Sequence, residues 1–346
     1  MGEPLEPSEP LRIAGLTLAQ LRAEARIRVP RGHGESATLY RQVVQEGRFD
    51  PTDTKLGAEA IAAWGAAVEF RLPRLVRTEQ EDGPLGTTAK AILATDDDYE
   101  IECVSIPMAR GRTLCVSSQV GCKMGCTFCE TAKLGLVRHL RADEIVGQVL
   151  AARFVLGWPV RNVVFMGMGE ALDNYDALVQ AIRVLNDPSG CAMGQERMTV
   201  CTVGRVDGIR RFQSEGFRRV NLIVSLNATT DEARDRIMPV NRKTPLAELQ
   251  AALIAYKPRR NFVLGVNYCL MPGLNDTRED VARLAAWCRP IERVLVNIIP
   301  YNPGTDPLTR APSDDEVDQF IRWVQEEHLP VRRRMTKGRS VMAACG

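Results

Sequence analysis

The sequence lacks net charge, a membrane-length apolar run and a fourth metal ligand where three of its cysteines cluster. Its 346 residues carry 45 Lys and Arg against 43 Asp and Glu, a formal excess of only +2. That balance excludes polyanion binding driven by the whole-molecule field and leaves only local basic patches. No stretch reaches the roughly 18 uninterrupted apolar residues of a membrane span. The opening "MGEPLEPSEPLRIAG" has neither the apolar core nor the cleavage site of a targeting segment. These absences predict a cytoplasmic protein with no membrane partner. In a reducing compartment ten cysteines are not a disulfide scaffold. Four of them fall between Cys115 and Cys129, which points to metal or redox chemistry. Internal repeats beyond β/α alternation and low-complexity tracts are also missing.

What is there is ordinary globular composition, 45% hydrophobic and 25% charged, long enough for one barrel-sized core or two domains. Residues 1–85 read as a small helical accessory module: "LTLAQLRAEAR", "ESATLYRQVVQEG" and "KLGAEAIAAWGAAVEF" space apolar residues helically, with Thr17 and Ser36 as expected N-caps. Residues 86–346 form the larger part. "AILAT", "DDDYE" and "IECVSIP" predict a β-hairpin leading into it. From residue 112, strand-like runs ("TLCVSSQ", "NVVFMGMGE", "MTVCTVG", "RVNLIVSLN", "FVLGVNYCLMPG", "RVLVNIIPYN") alternate with amphipathic stretches. Six β/α units with Val-, Ile- and Leu-rich strands predict an α/β fold, a parallel sheet curled into a partial (β/α)6 barrel. Sites on such barrels lie at the strand C-termini, where this sequence puts its cysteine cluster, "GMGE", "SLN" and "YN".

Cys122, Cys126 and Cys129 stand at CxxxCxxC spacing in "GCKMGCTFCETAK", with Phe128 just before the last. A structural zinc site closes with four ligands; no second CxxC exists, and His139 lies ten residues beyond Cys129, off finger spacing. Three thiolates can instead hold three irons of a 4Fe-4S cube and leave the fourth open. An open iron can chelate S-adenosylmethionine and pass an electron to its sulfonium, giving a 5'-deoxyadenosyl radical.

"TLCVSSQVGCKMGCTFC", "GQVLAA", "NVVFMGMGE", "NIIPYNP" and the C-terminal "AACG" together resemble the RlmN/Cfr family of radical S-adenosylmethionine RNA methyltransferases, which methylate a carbon of an adenine base. The resemblance covers nearly the whole chain and implies the radical SAM barrel. It implies that Cys122, Cys126 and Cys129 ligate the cluster. Gly169 and Glu170 would hold the amino group and backbone of the cofactor, with Cys201, Ser225, Leu226, Asn227 and Asn302 as further contacts. Cys345 in "AACG" matches the cysteine that is methylated and then delivers its carbon, Cys115 the partner that resolves the product as a transient disulfide, and Glu102 a proton acceptor. In "IECVSIP" Glu102 alternates onto the face of Val104 and Ile106, so the strand pattern leaves catalysis and an edge carboxylate both open.

The implied reaction consumes two S-adenosylmethionine molecules per turnover and needs an external one-electron reductant such as flavodoxin or ferredoxin. Adenine C2 and C8 are flanked by nitrogens and are poor nucleophiles, which explains a radical route. One cofactor methylates Cys345; the second supplies the radical that activates the S-methyl group, and the carbon radical adds to the base. Proton loss to Glu102 and attack by Cys115 on Cys345 then free the RNA. The substrate would be rRNA or tRNA, with the adenine in a loop or single strand. The chain departs from the family pattern at Cys201 (usually Ser), Asn227 (usually His) and Ala171 (usually Pro), and ends one residue after Cys345. Two other readings stay open: another radical reaction, such as dehydrogenation or sulfur insertion, and a zinc-stabilised RNA-binding module whose main site is "VRRRMTKGR". If that run meets phosphates, Arg332, Arg333 and Arg334 are its first contacts.

Overall fold

The computed structural model describes residues 9–334, so Cys345 and all of "MTKGR" lie outside the described residues. The helical module forms as its spacing predicts. After β1 (Leu11–Arg12), α1 (Leu18–Arg28) starts at Thr17, whose hydroxyl accepts the Gln20 N–H while the Gln20 side chain accepts that of Thr17, a reciprocal cap. Ser36 is a correction. It is the first residue of α2 (Ser36–Arg41), not its cap, and its hydroxyl donates to the His33 carbonyl at 2.5 Å. α3 (Ala58–Ala67) runs into β2 (Val68–Glu69), which pairs in parallel with β1. The module shares one core with the larger part: Leu21, Leu39 and Trp64 belong to the same buried cluster as Leu150 and Leu185.

β3 (Arg74–Glu81), β4 (Thr88–Ala94), β5 (Glu100–Met108) and β6 (Gly111–Val116) form an antiparallel meander. β4 and β5 are the expected hairpin. β3 is an additional, mostly exposed and charged edge strand, a composition that discourages pairing with other chains. Its sequence falls within the span read as the helical module.

β7 (Gln119–Gly121), the short α4 (Glu130–Lys133) and β8 (Leu136–His139) make a small ribbon that carries the cysteine loop. Helices and parallel strands then alternate: α5 (Ala142–Phe154), β9 (Val160–Phe165), α6 (Tyr175–Asn186), β10 (Met198–Thr202), α7 (Val206–Ser214), β11 (Asn221–Ser225), α8 (Asp231–Ile237), α9 (Leu246–Ala255), β12 (Leu264–Leu270), α10 (Arg278–Cys288), β13 (Val294–Pro300), α11 (Asp314–Glu326) and β14 (Val331–Arg333). β6, β9, β10, β11, β12 and β13 lie side by side in parallel, the six strands expected. Residues from the ends of β9 through β13 line one cleft, so the sheet curls around it.

β14 is a seventh parallel strand that the sequence reading missed, and it changes the meaning of the basic run. Arg332 Nε donates to Asn297 Oδ1 at 2.5 Å, and Arg333 is ion-paired with Asp314 and, at 3.0 Å, Asp318 of α11. The first arginines of "VRRRMTKGR" therefore fasten an edge strand.

Candidate active site

The cysteine loop begins where two backbones nearly touch. At Gly121 (φ +75°) an added Cβ would meet the Gly135 carbonyl oxygen at 1.9 Å, so only glycine lets β7 close on the turn before β8. The Cys122 N–H then donates to that carbonyl at 2.7 Å. Cys122, Cys126 and Cys129 all line the cleft, and Phe128 is beside them. Burial pushes the Cys122 thiol up to about 11 and raises Cys126 further, and the neighbouring sulfurs reinforce both shifts.

Facing the thiols are Gly169, Glu170, Cys201, Ser225 and Asn227. Gly169 (φ +102°) presses on Gln119, whose Cβ would stand 2.6 Å from any Cβ added there. The buried Glu170 carboxylate accepts the N–H groups of Val203 at 2.8 Å and Leu172 at 3.1 Å. Burial pushes its pKa up to about 7 against the pull of these bonds. Asn227 adopts a left-handed backbone (φ +59°), which asparagine tolerates. Its Oδ1 accepts the Cys269 N–H at 2.9 Å. A polar row, Ser225, Asn267, Asn297 and Arg332, stands in register across β11 to β14.

Two expected contacts fall outside this lining. Leu226 packs into the hydrophobic core, its N–H donating to the Asn267 carbonyl at 2.9 Å and its carbonyl accepting Arg234 Nε at 3.0 Å. Asn302 is buried two residues beyond β13. Cys115 is buried opposite Val104 in the β5–β6 ladder. Its β9 partner is Val164, paired in turn with Thr199. Side chains alternate along strands, so Cys115 shares its face with the cleft residues Met166 and Cys201. Glu102, two residues from Val104, is on that face too.

A radical SAM superfamily model matches residues 116–285. A probable dual-specificity RNA methyltransferase RlmN of Protochlamydia amoebophila is 42% identical over 261 residues, covering 75% of this chain and 73% of the relative. A probable RNA methyltransferase of Sorangium cellulosum is 43% identical over 298 residues, covering 84% and 74%. The crystal structure of a radical SAM methyltransferase from Sphaerobacter thermophilus superposes with a TM-score of 0.89 at 33% identity, over 97% of this chain and 98% of the other. The chain belongs to the RlmN family.

As a member of the RlmN family it is a radical SAM methyltransferase, and the family implies a 4Fe-4S cluster and S-adenosylmethionine. The residues fit such a group. Among the described residues, no three His, Cys, Asp or Glu side chains gather tightly enough to hold a single metal ion. A cube distributes its thiolates over separate irons, and Cys122, Cys126 and Cys129, all lining one cleft, supply three such thiolates from a single loop.

Three supports of this RlmN-family site escaped the sequence reading. Arg234 of α8 is buried, and its guanidinium binds the carbonyls of Val203, Ser225 and Leu226 and the Asn241 side chain, tying together the ends of β10 and β11. Asn275 does the same for β11 and β12 through the carbonyls of Asn227 at 2.8 Å and Cys269 at 2.7 Å. Asp173 joins Lys123 of the cysteine loop at 2.9 Å to Arg205 at 2.5 Å and Gln119 at 2.9 Å. "DEARDRI" reads as a solvated charged helix, so no pattern marked Arg234. The only sequence signal for Asp173 was its place three residues after "GMGE".

Proposed function

We propose that the chain methylates C2 or C8 of an adenine in rRNA or tRNA, with Cys345 carrying the methyl group and Cys115 releasing the product. The observation that carries this reading is the common face of Glu102, Cys115 and the cleft residues Met166 and Cys201. Glu102 and Cys115 thus share a sheet face with residues that line the cleft of the three-cysteine loop, which supports roles for them as proton acceptor and resolving thiol. When bound, the cluster and S-adenosylmethionine supply the methyl group and the radical chemistry, two cofactor molecules per turnover.

The chain's own residues do the rest. Cys122, Cys126 and Cys129 would ligate the cluster. Glu170, Ser225 and Asn227 offer oxygen and amide groups to the cofactor's amino acid portion, with Gly169 and Cys201 shaping the wall and Leu226 and Asn302 contributing from behind it. Glu102 takes the ring proton, and the adduct's unpaired electron would return to the oxidised cluster; Cys115 then attacks Cys345, the sulfur–carbon bond breaks to leave the methyl group on the base, and cellular thiols reduce the resulting disulfide. β14 runs parallel to β13 and so delivers residue 334 to the cleft end of the barrel. The eleven residues from there to Cys345 can reach at most about 40 Å, ample for entry to the cleft. An external donor such as flavodoxin or ferredoxin supplies electrons, and the enzyme works in the cytoplasm; among the described residues no helix is long and apolar enough to cross a membrane.

The test is to incubate anaerobically reconstituted protein with RNA, reductant and methyl-deuterated S-adenosylmethionine, and then identify the nucleosides by mass spectrometry. Label on an adenine carbon is expected. Cofactor cleavage with unlabelled RNA would overturn the reading in favour of dehydrogenation or sulfur insertion.

A further inference from the structure

At the opposite end of the barrel from the cleft, the segments entering β12 and β13 enclose a second concavity. Lys257, Arg259, Arg260 and Arg293 line it, with Glu292 as the sole carboxylate in the lining. Lys257, Arg260 and Arg293 are exposed. Four cations against one anion give this one hollow a larger excess than the formal +2 of the whole chain. Arg218, also exposed, adjoins it, because Arg259 Nη1 donates to the Arg218 carbonyl at 3.0 Å.

The hollow is built. Buried Tyr256 and Phe262 meet edge to face at 5.3 Å between ring centroids and form its floor. The Arg259 guanidinium lies 5.6 Å from the Phe262 centroid, so its charge is held over the ring. On the other rim Glu292 has φ +71° and ψ −73°, and the Arg293 N–H donates to the Ile291 carbonyl at 3.0 Å. That is a strained three-residue turn for a non-glycine residue, and it sets Glu292 and Arg293 side by side at the mouth. Glu292 is turned to Lys257, 3.3 Å away. Arg260 and Arg293 have no carboxylate partner in the lining.

We propose that this hollow binds backbone phosphates of a large folded RNA, at a point remote from the adenine being methylated. This rests on the RNA methyltransferase reading above and adds a substrate class to it. β12 has seven residues; at about 3.3 Å each, the two barrel ends are roughly 20 Å apart. A short stem-loop whose tip enters the cleft does not extend around to the far end. An RNA with a second arm or helix does. The hollow therefore selects for RNA size and shape, while the cleft selects the base.

The test compares wild type with the Lys257→Ala, Arg260→Ala, Arg293→Ala triple variant, all three positions being exposed and outside the cleft. Affinities for a short adenine-bearing stem-loop and for whole tRNA or a long rRNA fragment are measured across a salt series. For the long RNA, affinity should fall roughly ten- to hundredfold and the salt slope should flatten by two to three counterions; stem-loop affinity should be unchanged. Unchanged long-RNA binding, or equal losses for both RNAs, overturns the proposal. So does saturable competition by a free nucleoside triphosphate in the hollow without any effect on long RNA. Methyl transfer is read separately. Long-RNA binding through the hollow with no transfer would sink the proposed function and leave the hollow standing. Normal transfer with an indifferent triple variant would do the reverse, and absence of any RNA binding by wild type would overturn both.

Discussion

The Lys90 ammonium lies 3.4 Å from the Glu102 carboxylate, on the inner face of the β4–β5 ladder. Lys90 is buried and also meets Glu79 at 3.1 Å. An amine removed from water needs carboxylate partners. The strand pattern alone left Glu102 open as either a catalyst or an edge carboxylate; the structure gives it a buried ammonium as its ion-pair partner across the ladder.

Glu102→Gln should therefore keep the fold and Cys345 methylation but lose the step that removes the ring proton. Stability should change by no more than about 1 kcal/mol, because the carboxylate is partly exposed. Denaturing electrophoresis with and without nuclease should show protein covalently joined to RNA. Ordinary product release by this variant would return Glu102 to a structural role.

Glu170 supplies a pH signature. Its folded pKa is raised to about 7 by burial, above the ordinary carboxylate value, so the folded state binds the proton more tightly than the unfolded chain. Its stabilising contribution is complete below the ordinary value and is lost as pH rises toward 7, by at most about 3 kcal/mol. Urea unfolding of the cluster-free protein at pH 5 and pH 7.5 should show this decline, and Glu170→Gln should flatten it. Equal slopes in both proteins would mean that another group titrates there.

The two-cysteine logic separates variants cleanly. Cys115→Ala should accept a methyl group on Cys345, attack RNA and fail to let go, accumulating an adduct. Cys345→Ala should form no adduct and transfer no methyl group, with cluster content intact in both. Mass spectrometry of residue 345 and iron analysis decide it. Normal turnover by Cys115→Ala, or an adduct mapped elsewhere, would rule out this release mechanism. Cys126→Ala, by contrast, should bind no cluster, because two thiolates do not hold a cube.

Arg333 tests the revised meaning of the basic run. Its exposed pairs with Asp314 and Asp318 should each be worth about 0.5 kcal/mol. Arg333→Ala should lower the thermal midpoint slightly and leave the salt dependence of RNA binding nearly unchanged. A drop of a full counterion in that slope would restore Arg333 as a phosphate contact.

Much of the fold was legible because it rests on local periodicity. The six parallel strands announce themselves as Val- and Ile-rich runs, as strands buried on both faces must be, and Thr17 with Gln20 marks the start of α1 through a contact four residues long. The elements that escaped have weak local patterns. β3 and β14 are short or edge strands full of charge.

For the site, the sequence by itself determined the chemistry: three thiols seven residues apart and a glycine-flanked glutamate are covalent facts of the chain, and their spacing constrains what they can bind. Only the tertiary structure decided which groups face one another. It put Glu102 beside Lys90, turned Leu226 into the core, buried Arg234 under the ends of β10 and β11, and gathered Lys257, Arg260 and Arg293 around a hollow at the far end of the barrel. Those relationships join residues from separate elements, and the sign of each depends on side-chain direction, which reverses with a one-residue change of register. Local patterns report hydrophobic periodicity; register and strand order arise only when the sheet closes around its core.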